Sequence, residues 1–141
     1  MRVVIDTNVL ISAFLSPGGT PAQILQAWRR QQVEVVVSAD LLTEYAETLA
    51  SPKINRILGL SSAEIEEIIQ SLKASAIFLP IILLEVQIAK DPDDNILFAA
   101  AIEGQADYII SGDGVVQAVK EYQGIRVFSP GLFLTLLEQR V

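Results

Sequence analysis

A chain of 141 residues, 51% apolar and 19% charged, with a mean hydropathy of +0.44, has the size of one domain and too much apolar content for intrinsic disorder. It contains neither Cys nor His, which excludes disulfides, thiolate chemistry, imidazole acid–base catalysis and the usual zinc sites. Those two absences leave any catalysis to carboxylates, hydroxyls, amides, Lys/Arg or a hard metal ion, and 17 acids against 10 bases, a net charge of −7, argue against a nonspecific nucleic-acid coat.

Taken in chain order, Arg2–Ile5 is a β-branched run that reads as a buried strand. Ser16-Pro17-Gly18-Gly19 is a turn, after which Thr20 reads as the cap of a helix with Pro21 in its first position and Ile24, Leu25 and Trp28 as its apolar stripe. Val33–Val37 is a second strand. A helix from Asp40 carries Leu41, Leu42, Tyr45, Ala46 and Leu49 on one face and ends at Ser51-Pro52. Ser61 and Glu64 form a capping box for a helix with Ile65, Ile68, Ile69 and Leu72 at helical spacing. Ile77–Leu79 is a third strand. Asp94 opens an almost wholly apolar helix from Asn95 to about Glu103, closed by Gly104. A fourth strand over Tyr108–Ile110, a helix over Val115–Tyr122, a fifth strand over Arg126–Phe128 and a helix over Pro130–Glu138 complete the pattern. Strands alternating with helices predict an α/β fold with a parallel sheet covered on both faces, formed as a single domain over residues 1–141. The longest apolar run, Ala76 to Leu84, is nine residues broken by Pro80, against about 20 for a bilayer span. No membrane segment or signal peptide is read, and the expectation is a cytoplasmic protein.

In parallel sheets, ligands sit beyond the carboxyl ends of the strands. Six acids are expected there: Asp6 after the first strand, Glu44 early in the following helix, Asp91, Asp93 and Asp94 before the apolar helix, and Asp113 after the fourth strand. Taken singly, each has an ordinary reading as a turn residue, a helix cap or a solvated acid. Glu44 lies at the border of its helix's apolar stripe, whereas Glu47 lies nearly opposite the stripe, in water. Taken together, converging carboxylates repel one another unless a cation fills the cleft. Oxygen ligands without His or Cys select Mg²⁺ or Mn²⁺, which suits hydrolysis of a phosphodiester.

Four segments in this order and spacing carry a resemblance: Val3-Val4-Ile5-Asp6-Thr7-Asn8-Val9-Leu10, Ser38-Ala39-Asp40-Leu41-Leu42-Thr43-Glu44-Tyr45, Asp91-Pro92-Asp93-Asp94-Asn95 running on to Ala99-Ala100-Ala101, and Ala106-Asp107-Tyr108-Ile109-Ile110-Ser111-Gly112-Asp113. The chain resembles a PIN domain, in particular the VapC-like toxin component of type II toxin–antitoxin pairs. The resemblance implies a three-layer α/β/α sandwich, here with a central parallel five-stranded sheet. It implies an Mg²⁺- or Mn²⁺-dependent endoribonuclease, a small antitoxin partner and a homodimer. It places catalytic, metal-binding acids at Asp6, Glu44, Asp94 and Asp113, with Asp94 preferred to Asp93 because the alanines that follow fit the family's helix. Similar sequences often carry a further acid two residues after the position of Asp113, where this chain has Val115.

Thr7, Asn8 and Ser111 are polar neighbours able to hold a carboxylate or phosphate, and Arg29, Arg30, Lys53 and Arg56 are candidate RNA contacts or plain solvated bases. Two other acid-pocket enzymes fit less well. A phosphoacceptor switch domain needs an acid pair after the first strand and a Lys after the fifth, where Phe128-Ser129-Pro130 stands; an aspartate-nucleophile phosphatase needs Asp-x-Asp where Asn8 holds the second place. A catalytically silent PIN-like module that binds RNA or protein stays open as the alternative. The apolar run Leu132-Phe133-Leu134-Thr135-Leu136-Leu137 reads either as a helix packed on the sheet or as a partner surface.

Overall fold

The computed structural model describes residues 1–82 and 92–140, with the side chains of Pro92 and Asp93 left aside. Asp91 therefore lies outside the described residues. The elements in order are β1 (Arg2–Ile5), α1 (Thr7–Leu15), α2 (Thr20–Arg29), β2 (Glu34–Ser38), α3 (Ala39–Ala50), α4 (Pro52–Leu58), α5 (Ser62–Ser75), β3 (Ile77–Leu79), α6 (Pro92–Glu103), β4 (Tyr108–Ile110), α7 (Gly114–Gln117), β5 (Glu121–Tyr122), β6 (Ile125–Phe128) and α8 (Pro130–Glu138). None of the described helices is long and apolar enough to cross a membrane.

The sheet order is β3-β2-β1-β4-β6-β5. Its first five strands run parallel, with registers such as Val3↔Val35, Ile5↔Ile110, Ser38↔Leu79 and Ile110↔Phe128. Successive side chains of a strand point to opposite faces, so the complete burial of Val3, Val4 and Ile5 requires helices on both sides of β1. This is the layered α/β arrangement expected. The strand count differs by one. The expected helix over Val115–Tyr122 stops at Gln117, and Glu121–Tyr122 pairs antiparallel with β6 as a sixth strand. The reason is local: Gln123 and Gly124 both take positive φ (51° and 83°), the two-residue turn whose twist matches a β-hairpin.

Other boundaries shift for equally local reasons. Asp6 caps a helix, α1, that the apolar pattern after β1 had not revealed. Gly19 rather than Thr20 caps α2, and α3 starts at Ala39 rather than Asp40, capped by Ser38, whose hydroxyl accepts from Leu41 N at 3.1 Å. Pro52 not only ends α3 but begins α4. Helix α6 starts at Pro92, so Asp94 sits in its first turn instead of capping it. Gly104 closes α6 by close approach: a Cβ there would stand 2.4 Å from Val36 Cγ1, while the left-handed residue is Gln105 at φ 54°. The capping box of Ser61 and Glu64 forms as expected. In α8, Phe133 is fully buried and meets the Tyr108 ring, whereas Leu132 is 54% exposed, so the apolar run divides between core and surface.

Candidate metal and nuclease site

Chain order reverses across the middle of the sheet: β1 to β2 to β3 proceeds one way, and β4 to β6 the other. The gap beyond the carboxyl ends of β1 and β4 is thus the topological switch point, where such sheets leave a crevice. Asp6 leaves β1 and Asp113 follows β4, so both acids fall at that gap.

Asp6 is only 8% exposed and is held by three neutral donors. Its Oδ1 accepts from Thr7 N at 2.8 Å, and its Oδ2 accepts from Ser111 Oγ at 2.6 Å and Asn8 Nδ2 at 3.1 Å. The direction of each bond is fixed by the next. Asn8 Oδ1 accepts from Gly112 N at 3.0 Å, which turns its amide nitrogen toward Asp6. Ser111 Oγ accepts from Asp113 N at 3.0 Å, which leaves its proton for Asp6. Ser111 is completely buried, and Gln117 Nε2 clamps its carbonyl from α7 at 2.6 Å. Asp113 caps α7, its Oδ1 accepting from Val115 N at 2.9 Å. The structural role of each acid, a helix cap, therefore coexists with membership of one network.

Burial pushes the Asp6 carboxyl up from the ordinary carboxylate value. The bonds from Ser111 and Thr7 oppose that, the negative charge of Asp113 adds to it, and the bond from Asn8 opposes it. A carboxylate with saturated donors and a like-charged neighbour is the condition that a bound cation relieves. Thr7 Oγ1, next in the chain, is a buried side-chain oxygen without a hydrogen-bond partner among the described residues.

Glu44 is half-buried and Glu47 exposed, as the position of the α3 stripe requires. Beside Glu44, the buried Tyr45 hydroxyl donates to the carbonyl of Ile5, the residue before Asp6. Burial first, then the charges of Asp6 and Glu44, drive the phenol's pKa far upward, which places both acids within electrostatic reach of it. Asp94 is half-buried in the first turn of α6, a helix packed on β1, β2, β4 and α3. Asp6 and Asp113 share Ser111 as a bonding partner. Among the described residues, no three acidic side chains stand close enough to form a ready ligand shell. All four expected ligands offer oxygen only, the donor chemistry of Mg²⁺ and Mn²⁺.

The bases fall elsewhere. Arg29 and Arg30 are exposed at the end of α2, just before β2, whose Glu34 pairs with Arg2 at the start of β1. They therefore lie toward the opposite edge of the sheet from Asp6. Lys53 and Arg56 are exposed on α4, beyond the far end of α3 from β2. Arg29 instead helps line a concave surface of about 650 Å³ between α1, α2 and α5, with Phe14, Leu25, Trp28, Leu60 and Glu64. Sequence reasoning overlooked the Tyr45 hydroxyl and the Gln117 amide. A tyrosine within a buried helical stripe was the available signal, because its hydroxyl must find a partner.

Residues 2–114 match the family model described as PIN domain. An uncharacterised protein of Methanocaldococcus jannaschii is 33% identical over 113 residues, covering 80% of this chain and 71% of that protein. Among solved structures, VapBC2 from Rickettsia felis bound to a promoter DNA fragment aligns with a TM-score of 0.59 at 11% identity, covering 92% of this chain and 98% of that one. VapBC-1 from nontypeable Haemophilus influenzae aligns with a TM-score of 0.57 at 17% identity, covering 93% and 99%. FitAB bound to a DNA fragment gives 0.57 at 21%, covering 91% and 94%. With the switch-point acids, the family match over four-fifths of its length and the shared fold in agreement, the chain belongs to the PIN domain family.

Proposed function

We propose that the chain is a divalent-metal-dependent endoribonuclease and the toxin of a toxin–antitoxin pair. The observation that carries this reading is the buried Asp6, held by Ser111, Asn8 and Thr7 N with Asp113 beside it, at the switch point of a PIN-domain sheet. Asp6, Glu44, Asp94 and Asp113 are the residues that would hold Mg²⁺ or Mn²⁺. Such an ion supplies positive charge for a phosphodiester under attack and lowers the pKa of water. The chain's own part is to fix the acids: Ser111 and Asn8 set the Asp6 carboxylate, and the α7 turn sets Asp113. The likeness of the fold to VapBC and FitAB structures supports an antitoxin partner and a dimer. The groove lined by Trp28, Leu25 and Leu60 suits an apolar antitoxin segment, and Glu64 and Glu67 on its walls favour a basic one.

The deciding assay is cleavage of a labelled single-stranded RNA by purified protein with Mn²⁺, Mg²⁺ or chelator. Metal-dependent cleavage lost in Asp6→Asn and Asp94→Asn supports the reading; equal cleavage by both variants overturns it. The absence of a ready three-acid shell among the described residues favours a second reading, a silent RNA- or protein-binding module. RNA binding without cleavage under every metal condition would establish that one.

A further inference from the structure

We infer that Tyr45 is a positioning residue that locks the helix carrying Glu44 to the strand end carrying Asp6. The inference rests on the metal-site reading above and deepens it.

Asp6 and Glu44 are 38 positions apart and belong to different elements, β1's exit and α3. Packing alone is a poor ruler between them, because hydrophobic contact is non-directional and tolerates sliding along a helix axis. Mg²⁺ is intolerant of such sliding, since it demands near-ideal octahedral geometry. A directional link between α3 and the end of β1 meets that need, and the Tyr45 hydroxyl is one: it donates to the Ile5 carbonyl.

Its placement is tight at both ends. Tyr45 follows Glu44 directly in α3, and Ile5 precedes Asp6 directly in β1. Tyr45 is 1% exposed and Ile5 also 1%, so water does not compete for the bond. For filling the core alone, a phenyl ring would pack as well, and the buried hydroxyl would be a desolvation cost without a partner. The bond itself joins α3 to the end of β1 one residue from each acid, so it stands at the site and not at a remote point of α3. Together with Ser111, which ties Asp6 to the β4 exit, it makes the β1 end a hub connected to α3 on one side and α7 on the other.

The test is Tyr45→Phe beside Leu49→Val, a core change one turn further along α3 and also fully buried. Mn²⁺ binding is measured by calorimetry on the whole chain, together with thermal melting and RNA cleavage. Tyr45→Phe is expected to weaken Mn²⁺ about tenfold, the low end for residues that orient metal ligands. It should lower kcat with KM for RNA unchanged, while Leu49→Val lowers melting temperature without moving Mn²⁺ affinity. Unchanged Mn²⁺ affinity in Tyr45→Phe, or an equal loss in both variants, overturns the inference while leaving the nuclease reading intact. Failure of the wild-type chain itself to bind Mn²⁺ overturns both.

Discussion

The two edges of the central sheet manage acidic residues in opposite ways. At the amino edge, Arg2 brings a cation to an acid: its Nε lies 3.8 Å from Glu34, while its Nη1 donates to Gly104 O at 3.0 Å and its backbone N, a neutral donor, to Asp107 Oδ2 at 2.8 Å. At the carboxyl edge, the donors to Asp6 among the described residues are all neutral, and the charge it feels from Asp113 has its own sign. Among the described residues, one edge pairs an acid with a guanidinium, and the other sets two acids side by side with neutral donors. The first arrangement serves the fold; the second, a buried acid beside a like charge, is where the proposed cation would act.

The sharpest way to break the comparison is Asp6→Asn. An asparagine keeps the size but not the charge, and its amide nitrogen would face the nitrogen of Asn8, a donor against a donor. Residues that merely orient metal ligands are worth about 10 to 100-fold, so RNA cleavage should fall by more than about 100-fold. Glu47→Gln, on the solvent side of α3, should cut like wild type; a similar loss in both would show that the carboxyl edge is not special.

Next in size is the response to metal and pH. The raised Asp6 pKa means that the folded, metal-free chain holds a proton that the unfolded chain releases. Its contribution therefore favours folding at low pH and is lost as pH climbs from the unfolded value of 3.8 through the raised folded one. At neutral pH, Mn²⁺ at 100 times its dissociation constant should add about 2.7 kcal/mol of stability. Melting curves across pH, with and without Mn²⁺, check both signs. Asp6→Asn should flatten the pH trend and lose most of the metal effect.

At the opposite edge, Gly104→Ala drives a methyl group into Val36, whose side chain is enclosed in the core. Overpacking of this kind costs about 1–3 kcal/mol, and the melting temperature should drop while Mn²⁺ affinity holds. A drop in affinity as well would mean that the two edges are mechanically coupled. The smallest effect belongs to the exposed capping box of α5. Ser61 holds the Glu64 carboxyl below its usual value, so the stabilisation is present above the unfolded pKa and is lost as pH falls through the lowered folded one. Ser61→Ala should shrink that acid-side loss slightly, read from melts between neutral and acidic pH, with RNA cleavage unaffected.

The central strands were legible because Val3–Ile5 and Ile109-Ile110 are apolar runs buried on both faces, and such runs leave little choice of element. Asp6 and Asp113 were legible because strand ends are where chemistry collects. Helix α1 was not, since its residues are apolar nearly all round and offer no polar face to mark a period; Val9, Leu10 and Ile11 are all buried in consecutive positions. The β5–β6 hairpin hid behind Val115, Val116 and Val119, whose spacing mimics a helix until the Gln123-Gly124 turn overrides it. The bases kept two readings, RNA contacts or plain solvated charges, because charge in a sequence carries no address; the topology sets Arg29 and Arg30 toward the amino edge.

The bond from Ser111 to Asp6 joins residues 105 positions apart, and β1 pairs with β4 over the same span. Closing so long a loop costs entropy that short-range contacts have to offset first, so pairing of this kind comes late and slowly in folding. A chain grown only as far as β3 therefore carries Asp6 and its helix cap but none of the donors from the β4 exit. The proposed activity would be born only with the completed sheet, after β4 has been synthesised and paired.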